Sequence, residues 1–368
     1  MKKSNTSRKQ SPKRKAIRIK CPKTIGMDLG DKTSRYCVLN ENGEVELEAA
    51  VATTKQAMTE KFKGLPSCRI ALEVGTHSPW ASRLLTELGH EVFVANARQV
   101  KLISSSSRKS DRVDAETLAR LARVDTELLR PIRHRSERAQ MDLIKIRSRA
   151  ILVDSRTGLI NAARGLCKAM GERMPACAAD YLGVEQLESL PDDLKRELTP
   201  LLKSVESLTE KIKELEKQIE QIARTNYPET KLLEQVSGVG TLIALTFVLT
   251  VDDKERFQHS RDVGCYIGLR PKRSESGESS PQLSITKEGD PYLRKLLVQG
   301  SQHILSRKGP DTDLKRWGLK LAGKGGKNAK KRAIVAVARK LAVMLHRLWV
   351  TGEVYEPLRN FRIQKQAA

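Results

Sequence analysis

Between Leu201 and Ile222 the apolar residues Leu201, Val205, Leu208, Ile212, Leu215, Ile219 and Ile222 recur at alternating steps of four and three, with lysines and glutamates between them. A seam of about three heptads is an apolar stripe along a long helix that packs on another helix. Just upstream, SERAQMDLIKIRSRAILVDSRTGLINAARGLCKAM reads as a second helix of more than thirty residues. Residues 131–228 are therefore expected to form a helical coiled-coil arm. The heptads show pairing and not the partner, so folding back on the first helix and self-association both stay open.

Residues 23–130 follow a different rule. TIGMDLG is an apolar strand ending at a carboxylate, and RYCVLNENGEVELEA is two strands joined by an Asn-Gly turn, the strongest short hairpin signal. RIALEV is a buried-type strand followed by a helix through WASRLLTELGH. EVFVANA is a strand again, and DRVDAETLARLARV is a helix. Strands alternating with helices predict a sheet with helices packed on it. Residues 229–356 read as a mainly helical domain. It has a Gly-Val-Gly turn in KLLEQVSGVGTLIALTFVLT, a Ser/Gly-rich loop in RPKRSESGESSPQLSITKEGD, and a basic helix pair at its end. The expected fold class is thus α/β plus all-α, with a disordered basic tail over 1–22 and a short tail over 357–368.

Sixty-eight lysines and arginines face 44 acids, a net charge of +24. That excess favours polyanionic partners and salt-dependent binding, with an anionic membrane surface as the competitor. Aromatics at 4% argue against extended base stacking. The six cysteines lack CxxC or zinc-ligand spacing, which fits a reducing, intracellular setting. IALTFVLTV is too short to span a bilayer, and the basic N-terminus lacks the apolar segment of a signal peptide. An intracellular protein is the expectation.

Against this basic background four carboxylates stand out. Asp28 and Glu73 each end an apolar strand, where open α/β sheets place their active sites. Asp111 and Asp114 lie three apart on one helix, hence on one face. Four converging acids would hold one or two Mg²⁺ or Mn²⁺ ions for phosphoryl transfer. Taken singly, each also has a plain structural use, as a helix cap, a first-turn acid or a surface acid.

The order Asp28, Glu73 and the pair within KSDRVDAETLARL resembles the DEDD transposases of the insertion-sequence 110 family. The series SGVGTLIALTFVL, RFQHSRDVGCYIGLRPKRSESG and SITKEGDPYLRKLLVQG is similar to their second conserved domain, so the likeness runs from about Lys23 to Tyr355. It implies an RNase H-like (RuvC-like) N-terminal domain. It also implies a nucleophilic serine directly before a glycine, which here is Ser276; Ser274, Ser279, Ser280 and Ser284 crowd the same loop. Gly238 and Gly240 match a helix-hairpin-helix-like element, where backbone N–H groups can approach phosphate. Arg270, Lys272, Arg273, Lys287 and Arg294 are candidates to offset charge on the reacting phosphate.

The resemblance further implies a transposase acting on donor and target DNA. It would be guided by a structured RNA from its own element and work as a dimer or tetramer in which the acidic domain of one subunit serves the serine domain of another. Two rivals are a metal-dependent endonuclease that hydrolyses branched DNA with water, and a non-catalytic nucleic-acid-binding protein whose acids are structural.

Overall fold

The computed structural model describes residues 23–96, 111–277, 279, 281 and 283–360. The basic tail expected over 1–22, the first two residues of KSDRVDA and the last eight residues of the chain lie outside that set. The chain divides after His134 into two compact units.

The first unit is built on a five-stranded mixed sheet in the order β3-β2-β1-β4-β5. β1 (Thr24–Asp28) pairs antiparallel with β2 (Thr33–Leu39), which pairs antiparallel with β3 (Val45–Ala52) across the Asn-Gly turn. Gly43 supplies the left-handed φ of 84° that this turn requires. On its other edge β1 runs parallel to β4 (Arg69–Glu73), which is parallel to β5 (Glu91–Ala95). A parallel pair needs a crossover, and helix α2 (Ser78–Glu87) provides it. Helix α1 (Lys55–Phe62), which the periodicity does not announce, starts at Thr54, whose hydroxyl accepts from the Ala57 N–H at 3.2 Å.

The two faces of the sheet are packed differently. Ile25, Met27, Ile70 and Leu72 project from alternate positions into a core with Met58, Phe62, Ala81 and Leu85 of α1 and α2. The opposite face is lined by small residues, Gly26, Cys37, Ala71 and Ala95. On it lies α3 (Asp111–Val124) through Ala115, Leu118, Ala119 and Ala122. A β-carbon on Gly26 would sit 2.0 Å from the Ala115 carbonyl oxygen and 2.4 Å from the Ala119 nitrogen. Helix α3 is therefore seated directly on the backbone of the central strand, an approach that only glycine allows.

The second unit opens with α4 (Glu137–Ala169) and α5 (Asp192–Asn226), of 33 and 35 residues. At 1.5 Å per residue each is about 50 Å long. They form an antiparallel hairpin. Ile160, Ala163 and Cys167 meet Leu198, Leu202 and Val205 at one end, and Ala139, Leu143 and Ile146 meet Ile219 and Ala223 at the other. The heptad face of α5 thus finds its partner within the chain, by folding back.

The seam is turned slightly from the expected one. Leu202, Thr209 and Ala223 are buried where Leu201, Leu208 and Ile222 are only partly so, while Val205, Ile212 and Ile219 belong to both. Buried Arg156 explains part of the turn. Its guanidinium donates to the Thr209 hydroxyl at 3.1 Å and to Asp180 at 2.7 Å, so a short polar residue must face α4 there.

Beyond the hairpin, α6 (Thr230–Glu234) and α7 (Thr241–Val251) join α8 (Pro291–Leu305), α9 (Asp313–Ala322) and α10 (Ala329–Thr351) around one apolar core. The apolar run of α7 is buried, with Ala244, Phe247, Val248 and Val251 in that core and Leu245 and Leu249 against the α4–α5 hairpin. No helix among the described residues is long and apolar enough to cross a membrane.

Candidate active site

Strand alternation decides where the carboxylates go. Gly26 and Asp28 project from β1 on the face that carries α3, as do Ala71 and Glu73 on β4. The parallel register runs to Met27 and Leu72, and Asp28 and Glu73 are the next and last residues of the two strands. Because Gly26 lets α3 settle with Ala115 over the strand, the first turn of that helix, holding Asp111 and Asp114, comes to the end of β1.

The electrostatic consequence falls on Asp28. Its carboxyl is raised above the ordinary aspartate value, first by burial and then by the negative charges of Asp111 and Asp114. The structure therefore brings Asp28 within electrostatic reach of both helix acids, while Glu73 ends the neighbouring parallel strand.

Among the described residues no group of three or more acidic, histidine or cysteine side chains is placed to hold a metal ion. The donor chemistry nonetheless fits a hard divalent cation, since all four groups are carboxylates. The burial and mutual repulsion that raise Asp28 are what such a cation would offset.

Two neighbours carry no signal in the sequence reading. His77, in the loop after β4, accepts from the Trp80 indole N–H at 3.1 Å through Nδ1 and places Nε2 3.5 Å from the Asp31 carboxylate. This contact joins the loops that follow Asp28 and Glu73. Arg35 stands opposite Asp28 in the β1–β2 register. Arg35 meets Asp28 across the β1–β2 hairpin, and His77 meets Asp31 although 46 residues separate them, so no single motif marks the two.

In the second unit the Ser/Gly-rich segment is a hydrogen-bonded ribbon. Lys287 N–H donates to Gly268, Thr286 N–H to Arg270 and Lys272 N–H to Ser284, all through main-chain groups at 2.9–3.0 Å. At the tip Ser276 and Ser279 exchange both main-chain bonds, at 3.2 and 3.0 Å, around Gly277 with φ 55°. Ser276 is exposed at that tip. Arg270, Lys272, Arg273 and Lys287 are exposed along the ribbon, with Arg273 3.9 Å from Glu275. Glu278 and Ser280 lie outside the described residues.

The base of the ribbon is firmly held. A β-carbon on Gly268 would meet Glu288 main-chain atoms at 2.1 and 2.4 Å, and one on Gly289 would meet the Tyr266 carbonyl at 2.0 Å. Arg294 donates to the carbonyls of Ile267 and Glu288 at 2.8 and 2.9 Å, so its guanidinium ties down that base. Buried Asp290 caps α8 by accepting from the Tyr292 and Leu293 N–H groups, and it also receives Arg147.

The Gly-Val-Gly turn joins α6 to α7. Gly238 has φ 83°, and its backbone packs against that of Gly300 so closely that a β-carbon on either would fall 2.5–2.6 Å from the other's carbonyl oxygen. Gly240 leaves the N-terminus of α7 without a side-chain cap. Glu234, Gln299 and His303 line the shallow cleft beside it.

Comparison with known proteins matches both halves of this description. Residues 25–170 match the DEDD family of insertion-sequence 110 transposases, and residues 230–315 match the family described as "Transposase IS116/IS110/IS902 family". The transposase for insertion sequence element IS1111A of Coxiella burnetii is 29% identical over 352 residues, covering 93% of this chain and 94% of that protein. A putative transposase, y4pF/y4sB, of Sinorhizobium fredii is 30% identical over 340 residues, 90% of this chain and 85% of that one. The transposase for insertion sequence element IS1328 of Yersinia enterocolitica is 27% identical over 287 residues, 77% of this chain and 84% of that one.

The chain belongs to this insertion-sequence 110 family of transposases. It is accordingly an enzyme of the class that cuts and rejoins DNA, and its sheet domain carries the RNase H-like fold of the DEDD transposases.

Proposed function

We propose that this transposase joins DNA strands through Ser276, with Asp28, Glu73, Asp111 and Asp114 holding Mg²⁺ or Mn²⁺. The observation that carries the reading is the seating of α3 on Gly26, which brings Asp111 and Asp114 in its first turn within electrostatic reach of Asp28 at the end of β1. A protein of net charge +24 that gathers like-charged acids at a strand end is built for a cation.

When bound, the metal would supply Lewis-acid stabilisation of charge on the phosphodiester. The chain's own residues do the rest. Ser276 Oγ forms the bond to phosphorus, the sugar oxygen leaves, and the proton given up by the serine balances the one the leaving oxygen gains. The bond energy is kept in a phosphoserine, so the strand can be rejoined without an external energy source. Arg270, Lys272, Arg273 and Lys287 along the ribbon offset charge as the phosphorus becomes pentacoordinate. Gly238 and Gly240 present main-chain N–H groups to a nearby phosphate.

The reading also includes a homo-oligomer and a structured guide RNA, both of which rest on the likeness to the family. In it, the enzyme acts on donor and target DNA in a prokaryotic cytoplasm.

Covalent trapping tests it. The protein, RNA transcribed from its flanking DNA, labelled element-junction DNA and Mg²⁺ are incubated and run on a denaturing gel. Label migrating with protein, lost in Ser276→Ala and in Asp28→Ala, supports serine attack. Cleavage without an adduct, unchanged in Ser276→Ala, points to hydrolysis by water. Salt-sensitive binding indifferent to Mg²⁺ and to Asp28→Ala points to a binding protein. Omitting the RNA tests the guide separately.

A further inference from the structure

From Leu314 to Gly352 the chain carries eleven lysines and arginines and no acid. Most of this charge gathers where α9 ends at Ala322 and α10 begins at Ala329. Lys320, Lys324, Lys327, Lys330, Lys331 and Arg332 are all exposed at this corner. Elsewhere in the stretch cations find carboxylates: Arg316 pairs with Asp311 at 2.5 Å and Arg347 with Glu353 at 2.8 Å. Among the described residues none of the six corner cations is drawn into an ion pair.

Helix α5 shows the alternative. It interleaves eight acids with seven cations along 35 residues, which relieves self-repulsion. The corner accepts that repulsion, and its backbone is shaped to concentrate it. Gly325, Gly326 and Asn328 all take left-handed φ, at 75°, 87° and 69°, and turn the chain within six residues into a helix N-terminus with no side-chain cap. A helix N-terminus adds positive potential to the cluster.

The make-up of the corner selects the polyanion. Five of the six charges are lysines, which act as point charges rather than planar forks. The aromatic nearby, Trp317, lies under the Lys340 ammonium at 4.2 Å and packs against the core, so it offers no face for a base. Recognition of splayed single strands relies on such faces. A regular row of phosphates needs only charge.

We propose that the α9–α10 corner is a sequence-independent contact for the backbone of duplex DNA, separate from the residues assigned to catalysis. It rests on membership of a DNA-acting family and not on the roles of Ser276 or the carboxylates.

The test uses the full chain without divalent metal, so that catalysis plays no part. Binding to a labelled duplex of arbitrary sequence is measured by fluorescence anisotropy over roughly 50–200 mM salt. In the variant Lys324→Gln, Lys327→Gln, Lys330→Gln, Lys331→Gln, the slope of log K against log salt becomes shallower by roughly 3.6, the loss of about four phosphate contacts. The matched variant on α5, Lys203→Gln, Lys211→Gln, Lys213→Gln, Lys217→Gln, removes the same charge and leaves the slope within error. Arginine at the four corner positions keeps the steep slope.

Equal effects from the two quartets would reduce the corner to net charge, and an unchanged slope would overturn it outright. A loss confined to single-stranded RNA of the same length, with duplex binding intact, would reassign the surface to RNA and sink the duplex proposal. The glutamine quartet is expected to melt no lower than the parent chain, because it relieves repulsion. A lower melting temperature would mean the lysines have partners in the fold, against the proposal.

Discussion

The carboxylates and the candidate nucleophile are held by opposite means. Asp28 and Glu73 end buried strands, and Asp111 and Asp114 ride on a helix pressed against strand backbone at Gly26, so their positions follow from close packing. Ser276 stands exposed at the tip of a ribbon whose base is held by Gly268, Gly289 and Arg294. The contrast suits the chemistry assigned to each. Like charges stay together only where the scaffold forbids them to part, while a nucleophile that must meet an incoming strand gains from a mount anchored at one end.

The largest effects should come from removing the reacting groups. Asp28→Asn and Ser276→Ala are each expected to lower strand transfer by roughly three orders of magnitude or more. Both should bind DNA as the parent does, which anisotropy would check; lost binding would make the residue a docking element instead.

Scaffold substitutions come next. Gly26→Val must lift α3 off the sheet. By overpacking it should cost about 3 kcal/mol or more, read as a lower midpoint in urea. A midpoint that does not move would break the claim that this contact seats the helix acids. Gly289→Ala forces left-handed backbone and a clash with Tyr266, so a cost of roughly 1–3 kcal/mol is expected, with weaker strand transfer, while Gly277→Ala at the open tip should cost less. Equal losses at base and tip would contradict an anchored mount.

The smallest effect is the most pointed. A carboxyl raised in the folded state binds its proton more readily there than in the unfolded chain. Its contribution is therefore present at low pH and is lost as pH rises from the ordinary aspartate value through the raised one. Above that window metal-free Asp28→Asn should melt above the parent chain by about 1–3 °C, and added Mg²⁺ should raise the melting temperature of the parent alone. A variant that melts lower would mean that Asp28 is structural.

What the sequence revealed was whatever one element decides alone. The apolar runs before Asp28 and Glu73 place both acids at strand ends, the Asn42-Gly43 turn fixes the hairpin, and the step from Asp111 to Asp114 puts both on one helix face. What it concealed depends on distant partners. Gly26 looks like any strand glycine until Ala115 is laid on it. The ribbon reads as solvated loop because its bonds join Lys272 to Ser284 and Gly268 to Lys287. The seam of α5 was one shoulder off because Arg156, on another helix, requires Thr209. Helix α1 is marked in the sequence by its Thr54 cap alone, because its apolar stripe is short.

The α4–α5 hairpin sets a rule for how such a chain can evolve. Arg149 meets Glu216 and Arg156 meets Thr209, so seven residues forward on one helix correspond to seven residues back on the other. A single-residue deletion in either helix would swing everything beyond it by about 100° and unmatch every later pair. Insertions and deletions should therefore survive only as matched heptads taken from both helices at once. An alignment of relatives with arms of different length would show that quantised step.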